Sequence, residues 1–299
     1  MKLDLYYFFH LSECDIARAF DGCGDGCQYK MIRELKMNSE SNDAKILAVA
    51  GKGGVGKTSL AAVMVKLLVA AYPDKKILAI DADPAVGLST ALGVTVETTV
   101  DDIRKAVVAD AEDGNAKAAI ELLGEARYRI FDALVEMDGF SFIAIGRPEA
   151  AGCYCKINSY LKEVIGMLAD NYDYIVIDGE AGIEQINRRV MEKVTHLILV
   201  TDSSRKGTQV AQTIRQVADE LVMYDKIGVI ANRLPSPEVM AYMDLGDLPL
   251  LASIPADSAL AEFDLKGENV FYLQEDAAIV KGAKEALTRL GILAEGGDI

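Results

Sequence analysis

An α/β fold, with a mainly parallel sheet covered by helices on both faces, is what this 299-residue sequence predicts. Three observations carry the prediction. Short apolar runs that read as buried strands alternate with longer segments of helical period, the pattern of right-handed crossovers between parallel strands. The first run, KILAVA at 45–50, passes directly into GKGGVGKTS at 51–59 and then into LAAVMVKLLVAAY, so a glycine loop joins a strand to a helix. Two later runs end in acidic residues, ILAIDADP and YIVIDGE, which puts carboxylates at the carboxyl ends of strands, where parallel sheets bind ligands.

Taken in order, strands are expected at 45–50, 76–81, 141–145, 173–178, 196–201, 226–231 and 249–253. Helices are expected over 57–71, 156–170, 206–223 and 277–290. Residues 95–137 are acidic, poor in glycine and helical in pattern, which reads as an insertion between the second and third strands rather than a separate domain. With no Ser/Gly linker, low-complexity tract or internal repeat, residues 37–299 are expected to form a single domain. Residues 1–36 keep neither a period of 2 nor one of 3.6 and hold Cys14, Cys23 and Cys27. Cys23 and Cys27 could pair on a metal or cluster. The preferred expectation is a start assigned too far upstream, since Arg33-Glu34 can be encoded by purine-rich codons resembling a ribosome-binding site ahead of Met37.

Composition narrows the function. At 51% hydrophobic the chain can bury a sizeable core, and 31 Lys plus Arg against 46 Asp plus Glu give a net charge of −15. That charge opposes binding to nucleic acid or anionic lipid. No apolar run reaches the roughly 18–20 residues needed to span a bilayer, and the run LDLYYFFHL at 3–11 lacks a cleavage site behind it. A cytoplasmic protein is expected. Five cysteines in this length argue against a disulfide framework and for metal or redox use.

Gly51-x-x-x-x-Gly56-Lys57-Thr58 between strand and helix is a complete phosphate loop, as in P-loop nucleoside triphosphatases. Gly51, Gly53, Gly54 and Gly56 let the backbone N–H groups of the loop, those of Val55 and Ser59 included, turn toward phosphate oxygens at the positive end of a helix dipole. Lys57 is placed to neutralise the β and γ phosphates and Thr58 to offer its hydroxyl to Mg²⁺. Lys52 is surplus: a site already served by Lys57 has no need of a second lysine in the same loop. GKGGVGKT resembles the deviant phosphate loop of the ATPases that include the nitrogenase iron protein, MinD, ParA and the arsenite pump ATPase. That resemblance implies that Lys52 reaches the partner's nucleotide across a homodimer, with Lys52, Lys57 and Asp83 acting in hydrolysis.

Asp81 and Asp83 end the second strand, where a carboxylate can orient the attacking water or hold a metal-bound water; the resemblance gives the first role to Asp83, which precedes Pro84. Asp178 ends a further strand and can reach Mg²⁺ through water, with Asp81 and Thr58 beside it. Gly182 offers a backbone N–H that can sense the γ-phosphate. The family form is usually Asp-Thr/Ser-x-x-Gly, whereas this chain has Asp178-Gly179-Glu180-Ala181-Gly182. Asn232 resembles the residue that recognises adenine in this group, and Pro255 and Asp257 the later loop that covers the base. ATP and ADP rather than guanine nucleotides follow from the resemblance.

Cys153 and Cys155, in GRPEAAGCYCKIN, follow the strand FSFIAIG and precede a helical pattern. Two thiols one residue apart can hold one ion together, but Zn²⁺ normally takes four ligands and Ni²⁺ with thiolates often takes four in a plane. A two-fold axis supplies the missing pair, because a symmetric contact puts the same patch of both subunits face to face. Arg147 and Lys156 lie close enough in sequence to lower the thiol pKa values. His10 lies in the N-terminal segment and His196 begins a strand, where packing is the better expectation. Together, GKGGVGKTS, DADP, GRPE with GCYC, and the Asp178 run through Arg188-Arg189 resemble the CooC family of carbon monoxide dehydrogenase maturation ATPases, its AcsF branch included, over residues 45–290. The resemblance implies a homodimeric ATPase that binds Ni²⁺ (or Zn²⁺) between protomers and serves carbon monoxide dehydrogenase or acetyl-CoA synthase.

Two other readings compete. A MinD- or ParA-type spatial organiser needs a membrane- or DNA-binding element, and the ending LGILAEGGDI has no basic amphipathic character. An iron–sulfur carrier ATPase would carry Cys-x-x-Cys late in the chain, and no cysteine follows Cys155.

Overall fold

A computed structural model describes residues 44–83, 87–112, 129–146, 166, 170–179, 194–221 and 224–294. The chain divides into Met1–Asn42 and Asp43–Ile299, and every described residue lies in the second unit. The expectations for residues 1–36, the helix over 156–170, Gly182, Arg147, Lys156, Cys153 and Cys155 fall wholly or mostly outside the described residues.

Eight strands form one sheet: β1 (Lys45–Gly51), β2 (Ile77–Asp81), β3 (Val135–Met137), β4 (Phe140–Ala144), β5 (Tyr174–Asp178), β6 (His196–Thr201), β7 (Lys226–Leu234) and β8 (Leu250–Pro255). Their order is β3-β4-β2-β5-β1-β6-β7-β8, and every pairing is parallel except β3 with β4. The fold class is the one the alternating pattern predicts. β1 lies between β5 and β6, so the glycine loop leaves the middle of the sheet with a strand on each side.

The central strands are apolar throughout because both faces are covered. On one face Leu47, Val49 and Val176 meet α1 (Lys57–Ala71) and α6 (Ala278–Arg289). On the other, Ala48, Ala50, Ile175 and Ile177 meet α3 (Val100–Glu112) and α4 (Arg205–Leu221). Helix α1 is buried continuously from Ser59 to Lys66 and on through Leu68, so it has no solvated face to make it amphipathic. Lys66 keeps its place inside by donating from Nζ to the Leu273 carbonyl. His196 is a packing residue, as expected: it is buried, its Nδ1 meets the Thr195 hydroxyl at 2.7 Å, and burial together with the Lys226 and Lys45 charges pushes its pKa down to about 4. Among the described residues no helix is long and apolar enough to cross a membrane.

The stretch 95–137 is helical at its near end, as expected, and departs from the expectation at its far end. Thr99 and Asp102 cap α3 reciprocally, the Asp102 N–H donating to Thr99 Oγ1 at 3.2 Å and the Thr99 N–H to Asp102 Oδ2 at 3.0 Å, and Val100 and Ile103 enter the core. The far end is strand, since Val135–Met137 pairs with Phe140–Ser141 and beyond across Asp138-Gly139. Asp-Gly is a hairpin signal, and Gly139 has φ +86°. A three-residue strand is too short for its period to stand out within a helical stretch. Two helices were also unforeseen, α2 (Gly87–Leu92) and α5 (Ser258–Lys266).

Candidate functional site

The carboxyl edge of the sheet brings together Gly51, Asp81, Asp178, Thr201-Asp202, Asn232 and Pro255 from six strands. At Gly51 a side chain would place its Cβ 2.2 Å from the Val200 carbonyl oxygen, so close passage beside β6 demands glycine. Gly56 caps α1 in the left-handed region, φ +92°, with no side chain capping the helix and no acidic residue in its first turn. The N–H groups of that turn therefore remain available to an anion at the positive end of a 15-residue helix.

Lys57 is 6% exposed, and its ammonium lies 3.4 Å from the Lys52 carbonyl oxygen. Loop carbonyls that face outward find partners far along the chain: Asn232 Nδ2 donates to Val55 O at 2.8 Å and Arg233 Nη1 to Gly54 O at 2.9 Å. Lys52 turns to its own chain, with Nζ 3.0 Å from Asp202 Oδ2. Burial opposes the Asp202 charge, but the Ser204 hydroxyl and amide and the Lys52 ammonium hold this carboxyl below its usual range. Asp202 was missed in the sequence, although it ends a buried strand just as Asp81 and Asp178 do.

Asp81 and Asp178 are register partners across β2 and β5, and both are fully buried. Asp81 spends its oxygens on backbone, Oδ1 accepting from Asp83 N at 3.1 Å and Oδ2 from Leu88 N at 2.9 Å. Both Asp178 oxygens are sealed from solvent without a donor at bonding geometry. The Thr58 hydroxyl lies near enough to pull the Asp178 pKa down, as does Lys57, but burial and the Asp81 and Asp83 charges win and raise it to about 7. Burial likewise raises Asp81 to about 6 against the pull of the Leu88 and Asp83 amides. An unpartnered buried carboxylate is costly, and a hard divalent cation meets that need. Mg²⁺ keeps several waters and takes few protein ligands, and Asp178 with the nearby Thr58 hydroxyl could supply them.

The pH dependence follows from these carboxyls. Each binds its proton more tightly in the native state than at its ordinary 3.8, so the stability those protons give the metal-free protein is full below about pH 4 and lost as pH rises through about 7. Mg²⁺ competes with the same protons. Mg²⁺-dependent ADP binding is expected to weaken by up to about tenfold per pH unit below 7, and Asp178→Asn to flatten that slope. Titration calorimetry at pH 6, 7 and 8 measures it, and an unchanged slope in the variant would move the titration to another group.

Asn232, Arg233, Pro255 and Asp257 line one cleft of about 530 Å³ with Ala256, Leu260, Ala261, Asp264 and Leu265. The structure thus brings together the three residues expected around the base. Asp257 has a further occupation: Oδ1 caps α5 by accepting from Ala259 N and Leu260 N, and Oδ2 accepts from Ile279 N at 3.1 Å. Its carboxylate is thereby engaged in joining α5 to α6.

Comparison with known proteins agrees with this geometry. Residues 46–270 match the model of the CobQ/CobB/MinD/ParA nucleotide-binding domain. An uncharacterized ATP-binding protein of Methanocaldococcus jannaschii is 38% identical over 82% of this chain and 98% of its own length. The carbon monoxide dehydrogenase accessory protein CooC of Rhodospirillum rubrum is 32% identical over 76% of this chain and 89% of its own. Among solved structures, the septum site-determining protein MinD of Pyrococcus horikoshii complexed with Mg-ADP superposes with a TM-score of 0.58, at 25% identity, over 84% of this chain and 99% of that one. A helix with no side-chain cap behind a glycine loop, buried carboxylates on the neighbouring strands and a matching family model over most of the chain lead to one conclusion: this chain belongs to the CobQ/CobB/MinD/ParA family of nucleotide-binding ATPases.

Proposed function

We propose that this ATPase is a nickel-binding homodimer that assists Ni insertion into the active-site cluster of carbon monoxide dehydrogenase or acetyl-CoA synthase. The observation that carries the reading is the Cys153-Tyr154-Cys155 pair in a chain 32% identical to a carbon monoxide dehydrogenase accessory protein. Residues 37–299 act as one cytoplasmic ATPase domain. The loop N–H groups from Gly51 to Ser59 and the Lys57 ammonium hold the phosphates of ATP. Thr58, Asp81 and Asp178 hold Mg²⁺, directly or through water, Asp81 while accepting from the Asp83 and Leu88 amides. Mg²⁺ when bound supplies positive charge to the phosphate oxygens. Asp83 orients the attacking water, and Gly182 contacts the γ-phosphate. Asn232 and the loop of Pro255 and Asp257 surround the adenine. Nickel is cargo, held by Cys153 and Cys155 of both protomers.

Lys52 belongs to the dimer in this reading, and its pairing with Asp202 describes the single chain. Both side chains are about 30% exposed, and an ion pair so open to water is worth about 0.2–1 kcal/mol. The triphosphate of a partner's nucleotide, with several negative charges, outcompetes one such carboxylate. Sedimentation with Ni²⁺ and a slowly hydrolysed ATP analogue is expected to show a dimer. Lys52→Ala should lose the dimer while keeping monomer nucleotide affinity within about threefold, and Asp202→Ala should dimerise at least as readily as the parent. A parent protein that stays monomeric with both ligands present would sink the reading.

A MinD- or ParA-type spatial organiser is the second reading, favoured by MinD of Synechocystis at 29% identity over 85% of this chain. It predicts ATP-dependent retention on anionic vesicles or DNA, which the net charge of −15 opposes.

A further inference from the structure

β7 and β8 fall out of register where the sheet meets the nucleotide site. From Ala231 to Leu234 β7 advances three residues, while its partner advances two, from Ser253 to Pro255. Asn232 and Arg233 thus oppose the single residue Ile254, a β-bulge, which bends a strand and re-aims its side chains. Arg233 is the only residue other than glycine with positive φ among the described residues, at 58°. For a side chain of this kind the left-handed region is unfavourable, and it persists where surrounding contacts enforce it. Both bulge residues turn to the phosphate loop, Asn232 to Val55 O and Arg233 to Gly54 O. The Arg233 guanidinium also stands beside Gly56, where an added Cβ would lie 3.6 Å from its Nε.

A phosphate cradle needs its N–H groups inward, so its carbonyls point outward and need donors of their own. In this chain two consecutive loop carbonyls, at Gly54 and Val55, receive them from two consecutive residues of a bulge about 180 positions downstream. Arg233 also lines the base cleft, where Asp264 faces it: burial raises the Asp264 pKa and the Arg233 charge draws it down. One side chain therefore touches both the outer rim of the phosphate loop and the wall around the base.

We infer that Arg233 is a positioning residue for nucleotide, which holds the Gly54 carbonyl outward and so fixes the inward N–H set of the phosphate loop. The inference rests on ATP binding at this loop and is independent of nickel. It predicts that Arg233 matters to ligands that have no base at all.

The test compares ADP with inorganic pyrophosphate, by titration calorimetry on the full chain, in R233G and R233K. Glycine adopts φ near +58° without cost, so R233G should keep or raise the ligand-free thermal midpoint while binding both ligands about tenfold more weakly. R233K retains a donor and should stay within about threefold of the parent for both. If R233G weakens ADP and leaves pyrophosphate unchanged, Arg233 contacts the base alone and the inference fails. It fails equally if R233G binds both as the parent does, or if its ligand-free midpoint falls by more than a few degrees, which would make the role structural. R233N should behave as R233G does, since asparagine tolerates positive φ and is too short to bridge as arginine does. A parent protein that binds neither ligand would overturn the ATPase reading itself, an outcome distinct from all of these.

Discussion

Lys57→Ala is expected to abolish ATP hydrolysis, with turnover falling by roughly a hundredfold to a thousandfold or more, the loss that follows removal of one preorganised electrostatic donor. Burying an ammonium is costly unless it is paired, and Lys57 is 6% exposed with a long 3.4 Å approach to a loop carbonyl. Such a group is poised for a stronger anion than its own chain offers. Triphosphate oxygens at the N-terminus of α1 provide it, and the charge that develops on them during transfer strengthens the contact, so both affinity and rate should fall. Lys57 also lowers the Asp178 pKa, so removing it should push the Asp178 titration upward. Phosphate release gives the rate, and the thermal midpoint shows whether the variant is folded. A folded Lys57→Ala protein retaining a tenth of parent turnover would take Lys57 out of the reaction.

The parts of this site legible in the sequence are those whose chemistry is local. A glycine loop between a buried strand and a helix announces itself through residue type and spacing, and an aspartate ending an apolar run is placed at the carboxyl edge by the strand alone. β1, β2, β5 and β6 lie within a residue of their expected positions for that reason. Asp202, the residue directly after HLILVT, follows the same rule, but no motif in the sequence marks it. Other features depend on contacts that no local pattern encodes. β7 runs to Leu234 rather than ending at 231 because its bulge lets it resume pairing with β8. The bond from Arg233 to Gly54 spans most of the chain, and positive φ at an arginine leaves no trace in composition. α2 has six residues, too few for a helical period to emerge. Asp257 illustrates a different difficulty: Asp257-Ser258 before an apolar pattern is also a helix-capping signal, and the structure uses the residue for that while placing it in one cleft with Asn232 and Pro255.

Nickel binding is the second large effect, and it tests the part of the proposal that lies outside the described residues. The parent protein is expected to bind one Ni²⁺ per two chains, and Cys153→Ala with Cys155→Ala to bind none. Structural four-ligand Zn²⁺ sites bind with roughly 10–16 kcal/mol, and on that scale removing all four thiolates should lower Ni²⁺ affinity far beyond a thousandfold. The described residues do not duplicate such a site, since no group of three or more His, Cys, Asp or Glu converges among them. β4 ends at Ala144 on the same edge of the sheet as the phosphate loop, and the chain continues from Gly146 toward the two cysteines. In the proposed dimer Lys52 and the thiols share one interface, so metal and nucleotide would be linked ligands. Linkage is reciprocal: whatever factor the ATP analogue applies to Ni²⁺ affinity, Ni²⁺ must apply to the affinity for that analogue. Equilibrium dialysis with and without the analogue measures both factors. Binding of Ni²⁺ at one per chain, unchanged in the double variant, would separate the metal from the cysteines and from the dimer together; anaerobic reconstitution with iron and sulfide that yields cluster absorption on the same two cysteines would transfer them to the iron–sulfur carrier reading.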